Sequence, residues 1–209
     1  MKIFVWGNNY SPNNKEASSA FSKQPPFLFL KPDSSLLKDG KPFFLPDFLS
    51  DVQASVAVVV RLNRLGKSVP SRFASRYYAE ATVGVNLMAC GELHRLRQQG
   101  LPWDAAVGFD GAAVLGNFIA WPLAEKEGEA GKKPLHFSLY INGNPVQSGC
   151  TGDLSVGVDE GISRISRLYT LKTGDLIYTG YPAEGSPLSV GDHLEGYLED
   201  EKLLDFYIR

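Results

Sequence analysis

Cysteine and histidine side chains, the residues most often used as nucleophiles and metal ligands, are few and weakly patterned in this sequence. Cys90 and His94 stand four residues apart on a predicted helix, a spacing that in principle lets both bind zinc. Glu92 would face away from them, and the sequence supplies no third ligand, so a surface histidine is the simpler interpretation. His136 and His193 have no patterned partner, and neither a G-x-S-x-G nucleophile motif nor a P-loop is present.

Stronger patterns occur in segments that combine glycine, proline and charged residues. They are Gly7-Asn8-Asn9-Tyr10 with Lys15-Glu16, Phe29-Leu30-Lys31-Pro32 with Ser34-Ser35-Leu36, Trp103 to Gly116, and Gly174 to Pro182 followed by Val190-Gly191-Asp192. In this order they resemble the fumarylacetoacetate hydrolase family, whose patterns are G-x-N-Y-x-x-H-x-x-E, F-x-K-P-x-S-x-L, P-W-x-x-x-K-G-F-D-x-x-x-P-L-G and G-D-x-I-x-T-G-T-P. The resemblance extends over essentially the whole chain.

The resemblance implies a metal-dependent reaction. Enzymes of this family bind a divalent cation, usually Mg²⁺ or Mn²⁺, through an E-x-E pair on a strand and an aspartate further along. A 2-oxo acid substrate chelates the cation. The cation then acts as a Lewis acid on the enolate formed in C–C cleavage, decarboxylation or tautomerisation.

This sequence departs from the family at the positions that carry that chemistry. Aligning the apolar strand that follows the E-x-E pair puts Ser55 and Ala57 at the glutamates, and no E-x-E or D-x-D occurs there in any register. Asn86 stands at the aspartate position. The catalytic equivalents are Asn13 at the histidine, Val107 at the lysine and Tyr181 at the second threonine of T-G-T-P; the matched pocket positions are Ser55, Ala57, Asn86, Met88, Cys90, Leu93, Asp110 and Thr179.

The substitutions share a direction, because nearly all of them remove charge. Clustered carboxylates without a cation repel one another and are costly to bury, so removing one charge alone would leave the others unpaired. We therefore predict that the divalent-metal site is lost, that no cofactor is bound and that no residue can be named as catalytic. We also expect a smaller, drier pocket, with Val107, Leu93, Met88 and Tyr181 packed toward it.

Composition limits the classes of partner. The chain has 209 residues and a net charge of −2, which predicts no binding to nucleic acid or anionic membranes. The apolar run Val56–Val60 is too short to span a bilayer. Cys90 and Cys150 make no disulfide framework, so a cytoplasmic location is expected. The length favours one domain, residues 1–209.

Periodicity predicts a β-rich α+β domain. We expect strands at Met1–Trp6, Phe27–Lys31, Val56–Leu62, Leu176–Thr179 and His193–Leu198, hairpins at Asn142-Gly143 and Glu199–Glu201, and helices at Ser71–Tyr78, Cys90–Gln99 and Asp153–Leu168. Ser71 is the predicted N-cap of the first helix. The family resemblance implies a mixed β-sandwich roll with short peripheral helices, and a homodimer.

Three functions remain open. In the first hypothesis, the chain is a catalytically inactive paralogue that binds a small-molecule ligand or a partner such as an active paralogue. In the second, it is an active hydrolase, isomerase or decarboxylase of 2-oxo or 2-hydroxy-dienoic diacids. Its site would then need a carboxylate or histidine cluster from an unexpected segment, such as Glu16, Asp47 or Asp51. The third alternative is a purely structural or interaction protein.

Overall fold

A computed structural model describes residues 1–10, 25–122 and 133–209 of the chain. Asn13 and Glu16, two of the positions singled out in the sequence, lie outside the described residues. The strands are β1 (Ile3–Gly7), β2 (Phe27–Lys31), β3 (Leu36–Leu37), β4 (Val52–Leu62), β5 (Tyr78–Ala89), β6 (Ala113–Leu115), β7 (Ile119–Ala120), β8 (His136–Ile141), β9 (Asn144–Cys150), β10 (Leu176–Tyr178), β11 (Ser186–Pro187), β12 (His193–Leu198) and β13 (Glu201–Tyr207). The α-helices are α1 (Ser71–Ala74), α2 (Cys90–Gln98), α3 (Asp104–Val107) and α4 (Val158–Leu168).

The strands form two sheets. The larger has the order β2-β1-β10-β4-β5-β6-β3, with β11 adding to β4 and β7 to β5; the smaller has the order β13-β12-β8-β9. β1 runs parallel to β10, and β3 runs parallel to β6, whereas β4 is antiparallel to β5 and β10. This confirms the predicted β-rich fold with a mixed sheet and short helices.

The main core lies between the two sheets. Val56 and Val58 of β4 share one apolar cluster with Leu139 of β8 and Leu194 of β12. The sheets approach closely at Gly196, where an added Cβ atom would lie 3.0 Å from Val83 Cγ1. Ile162 of α4 joins the same cluster, so this helix packs against the core.

Strand β4 is buried on both faces, as its nearly unbroken apolar sequence predicts. Its even-numbered side chains face the smaller sheet. Ala57 and Val59 point the other way, into a second apolar cluster that contains Met88 and Tyr178. Four of the matched pocket positions, Ser55, Ala57, Asn86 and Met88, lie on this second face.

Several elements were predicted correctly from local signals. Asn142 and Gly143 have φ values of 53° and 76°, as a type I′ turn requires, and they join β8 to β9. Helix α2 begins at Cys90 and ends at Gln98, with Gly100 in the left-handed region just beyond it.

Other predictions were wrong in detail. Ser71 is the first residue of α1 rather than its cap, because Pro70 occupies the N-cap and no side chain caps the helix. Helix α4 begins at Val158, and Thr151–Asp153 form a separate 3-10 turn. Within the described ranges, no helix is long and apolar enough to cross a membrane.

Candidate functional site

Two central strands bring the matched positions together. The antiparallel register pairs Ser55 with Asn86, and places Gln53 opposite Met88. Side chains paired in this way point to the same face, with Cβ atoms about 4.5–5.5 Å apart. Ser55 on β4 and Asn86 on β5 therefore face one another on the side of the large sheet that is turned away from the smaller sheet.

The E-x-E pair can be placed on this face in two registers, because Gln53 and Ala57 both flank Ser55. Ala57 is fully buried in the second apolar cluster, beside Val59. Gln53 is partly exposed, and its Nε2 donates to the Asp51 carboxylate at 2.9 and 3.0 Å. Metal ligands must lie where solvent and substrate can reach them. The register that places the pair at Gln53 and Ser55 is therefore favoured over the one at Ser55 and Ala57. Neither register supplies a carboxylate.

Ser55 and Asn86 are fully buried, and their side chains have no hydrogen-bond partner within residues 1–10, 25–122 and 133–209. Both are 0% exposed, and the atoms concerned are Ser55 Oγ, Asn86 Nδ2 and Asn86 Oδ1. Leaving a buried polar group unpaired costs about 1–3 kcal/mol, so native proteins pair nearly all of them. Three such atoms on directly opposed residues make this pair a candidate position for a polar guest.

The surroundings of this pair are mainly apolar. Met88 and Val107 belong to the second cluster, and Cys90 and Tyr181 pack against it. Leu93, which we expected to face the pocket, packs instead with Leu96 and Ala106. The expectation was wrong because α2 turns Leu93 toward α3 and away from the sheet.

Two other matched residues have structural roles or lie outside the cluster. Thr179 is buried, and its Oγ1 donates to the Val58 carbonyl at 3.0 Å, which fixes the end of β10 against β4. Asp110 is exposed, in the turn closed by the bond from Ala112 N to Phe109 O. Neither side chain is placed to act on a guest at Ser55.

Three charged groups, Asp51, Arg97 and Glu184, lie near Cys90 at the rim of the site. Burial raises the pKa of the Cys90 thiol to about 11, with a further contribution from Asp51 and a smaller one from Glu184, against an opposing effect of Arg97. Burial likewise raises the pKa of Tyr181 to about 12. Both groups are therefore protonated at neutral pH.

A buried lysine approaches the site from β2. Lys31 is 2% exposed, and its Nζ donates to the carbonyls of Leu87 (2.9 Å), Val107 (2.5 Å) and Ala112 (2.9 Å). Burial lowers the pKa of Lys31. Its three acceptors match the three N–H donors of an ammonium and favour the charged form. The sequence placed Lys31 in a motif, but its contacts lie 56 to 81 residues away, beyond the reach of local patterns.

The residues around Ser55 and Asn86 do not fit Mg²⁺ or Mn²⁺. These cations prefer several oxygen ligands, carboxylates among them. Here the paired strands offer the Ser55 hydroxyl and the amides of Gln53 and Asn86 but no carboxylate, with Ala57 and Met88 beside them. Among the described residues, the one group of metal-type ligands is His193, Glu195 and Asp205, on the other sheet, where Lys202 Nζ already pairs with both carboxylates.

Comparison with known proteins gives one family over nearly the whole chain. Residues 2–204 match the model of the fumarylacetoacetate hydrolase C-terminal domain. The chain is 31% identical to an uncharacterized protein of Pyrococcus horikoshii, over 98% of this chain and 86% of that protein. It is also 31% identical to an oxaloacetate tautomerase of Escherichia coli, over 92% of this chain and 86% of the relative.

Solved structures agree with this family. A fumarylacetoacetate hydrolase family protein from Yersinia pestis superposes with a TM-score of 0.84 at 29% identity, covering 100% of this chain and 92% of the other. A fumarylacetoacetate isomerase/hydrolase from Oleispira antarctica gives a TM-score of 0.86 at 29% identity, covering 100% and 93%. The two-sheet fold is therefore shared along the full chain.

Proposed function

Because the chain belongs to the fumarylacetoacetate hydrolase family, we propose that it is a non-catalytic member that binds a small-molecule ligand without a divalent metal. The proposed binding position is the pair Ser55 and Asn86. In this view the fold is retained, whereas the metal site has become a neutral polar position within an apolar cluster.

The observation that carries the proposal is the buried Ser55–Asn86 pair, whose side chains have no partner in the part of the chain that the structure describes. Its atoms suit a guest that makes hydrogen bonds, and the missing carboxylates argue against a cation. A fully packed structural core would leave no reason to retain a hydroxyl and an amide without partners. This favours ligand binding over a purely structural role.

The acid–base properties of the nearby groups support the same conclusion. A general acid or base works best when its pKa lies near the working pH. The raised pKa values of Cys90 (about 11) and Tyr181 (about 12) remove both from that range. Two described carboxylates that act on Cys90, Asp51 and Glu184, are exposed at the rim of the site.

The alternative is an active hydrolase, isomerase or decarboxylase of 2-oxo or 2-hydroxy-dienoic diacids. The names of relatives favour it, since the Escherichia coli relative is an oxaloacetate tautomerase. Such an enzyme would need acid–base groups from the rim, with Asp51 and Glu184 as the candidates.

Turnover assays separate the two functions. Purified protein would be incubated with enol-oxaloacetate, acylpyruvates and fumarylacetoacetate, with and without Mn²⁺, beside the Escherichia coli tautomerase as a positive control. We expect rates at the protein-free background. Protein-dependent turnover at ordinary enzyme rates, lost when Asp51→Asn is introduced, would establish the alternative.

The assembly and location of the protein follow from the family resemblance and the cysteine content. We propose a homodimer in the cytoplasm, with an active paralogue as a second possible partner. Sedimentation equilibrium of the full chain tests the homodimer, and a monomer at micromolar concentration would exclude it.

A further inference from the structure

The outer face of the smaller sheet brings an imidazole and two carboxylates together. Glu195 on β12 pairs with Asp205 on β13, and His193 precedes Glu195 by two residues, so the three side chains point to the same face. That face is turned away from the core, because the alternating residues Leu194 and Phe206 are the buried ones. One ligand atom from each of the three residues lies within 4.8 Å of the others.

His193 is held in place by an aromatic ring and by the neighbouring turn. Its ring stacks on Tyr207, with the centroids 4.3 Å apart and an interplanar angle of 11°. Its backbone N–H donates to Asn142 Oδ1 at 3.0 Å, which ties the start of β12 to the turn between β8 and β9. His193 Nε2 lies 2.7 Å from Asp205 Oδ1. The imidazole is therefore positioned before a ligand binds, and this lowers the entropy cost of binding.

A positive charge already lies between the two carboxylates. Lys202 Nζ donates to Asp205 Oδ2 at 2.7 Å and to Glu195 Oε1 at 3.0 Å. These hydrogen bonds, first to Asp205 and then to Glu195, raise the pKa of Lys202. The Lys202 side chain is 42% exposed and has a flexible aliphatic stem, so its ammonium can move into water at little cost. The position attracts a cation, and its present occupant can leave.

The donor set suits Zn²⁺ rather than Mg²⁺ or Ca²⁺. The latter two cations take about six or more oxygen ligands, whereas Zn²⁺ binds imidazole nitrogen and carboxylate oxygen and accepts three protein ligands with water in the fourth position. Zinc–ligand distances of about 2.0–2.2 Å place the atoms of a tetrahedral site about 3.3–3.6 Å apart. The 2.7 Å between His193 Nε2 and Asp205 Oδ1 and the 4.8 Å limit of the group bracket this spacing. Small side-chain rotations therefore suffice to form the site.

We propose that His193, Glu195 and Asp205 form a surface binding site for Zn²⁺, and that Lys202 pairs with the carboxylates when the metal is absent. Zn²⁺ replaces the ammonium, the two carboxylates balance its charge, and His193 binds through an unprotonated Nε2. The metal then links β12 to β13.

This site is independent of the proposed ligand function. Ser55 and Asn86 point away from the smaller sheet, whereas His193 lies on that sheet's outer face. His193 had no patterned partner in the sequence because Asp205 is 12 residues further along, on the next strand. The strand register brings the two together.

Competition with a fluorescent zinc indicator of micromolar affinity tests the site in the untagged full chain. We expect one Zn²⁺ ion to bind per chain with a micromolar Kd at neutral pH, and added Zn²⁺ to raise the melting temperature. Mg²⁺ at millimolar concentration should not compete. No zinc binding at micromolar concentration, or displacement of Zn²⁺ by Mg²⁺, would overturn the proposal.

Single substitutions locate the metal. His193→Gln and Asp205→Asn each remove one ligand with little change in size, so Zn²⁺ affinity should fall at least about tenfold. Lys202→Met removes the competing ammonium and keeps the aliphatic stem, so Zn²⁺ affinity should rise several-fold. That gain cannot come from a failure to fold. His136→Gln, which changes an exposed histidine of the same sheet, is the matched control and should bind like the wild type. Unchanged affinity in His193→Gln, or weaker affinity in Lys202→Met, would refute the site.

Discussion

The substitution Ala57→Glu tests whether the face of β4 at Ala57 is part of a packed interior or lines a solvated cavity. Ala57 is 0% exposed and lies beside Val59 and Met88, so an introduced carboxyl would lack a partner. Burial raises a glutamate pKa from ~4.3 by about 3 units, which costs ~4 kcal/mol at neutral pH. Added volume costs a further ~1–3 kcal/mol. The sum, about 5–7 kcal/mol, is comparable to the whole stability of many domains.

The pH dependence of this variant follows from the raised pKa. Below about pH 4.3 the carboxyl is protonated in both the folded and unfolded states, so only the packing cost remains. As the pH rises toward about 7.3, the unfolded state loses its proton first, and the variant loses ~1.4 kcal/mol of stability per pH unit relative to wild type. Above that pH the difference is constant.

Urea denaturation of the wild type and variant at pH 5 and pH 7 measures both effects. Gln53→Glu is the matched control, because Gln53 faces the same side of β4 but is partly exposed. It should change stability by no more than about 1 kcal/mol. An Ala57→Glu variant as stable as this control at pH 7 would show that position 57 faces water, contrary to the full burial of Ala57 in the second apolar cluster.

Further predictions concern individual side chains. Tyr181→Ala should destabilise the fold by about 2–3 kcal/mol in chemical denaturation, because the ring packs on the second apolar cluster; no change would mean that the ring is free of the core. Lys31→Met should cost about 3 kcal/mol or more, since it leaves its carbonyl acceptors unpaired; a stability equal to wild type would contradict these contacts. With a pKa of about 11, Cys90 should react slowly with iodoacetamide at pH 7 in a Cys150→Ser background, and its rate should rise about tenfold per pH unit. A fast, pH-independent rate would show an ionised thiol.

Local signals predicted the elements that depend on neighbouring residues. The Asn142-Gly143 turn follows from the φ values that those residues tolerate, and β4 follows from its continuous apolar sequence. Strand β5 was not predicted, because Thr82, Gly84 and Asn86 interrupt its apolar pattern. Those residues suit their partners across the fold: an added Cβ at Gly84 would lie 2.6 Å from Val59 Cγ2, and Thr82 Oγ1 donates to Asn117 O.

The candidate site was predictable as a set of positions, through the family resemblance, but its electrostatics were not. The sequence indicated Ser55 and Asn86 as neutral replacements, and the strand register places them opposite one another. The position of the buried Lys31 Nζ depends on carbonyls of β5, α3 and the segment before β6. Such long-range contacts leave no periodic trace in a single sequence.

Mn²⁺ binding, followed by electron paramagnetic resonance of the free ion, tests the central claim most directly. The experiment uses an Asp205→Asn background, which removes one ligand of the surface group with His193 and Glu195. Adding the substitutions Gln53→Glu, Ser55→Glu and Asn86→Asp provides a comparison in which the carboxylates are restored. We predict that the Asp205→Asn protein leaves the signal of one equivalent of Mn²⁺ unchanged at micromolar concentration. Loss of that signal at one ion per chain, without the restored carboxylates, would contradict a metal-free site.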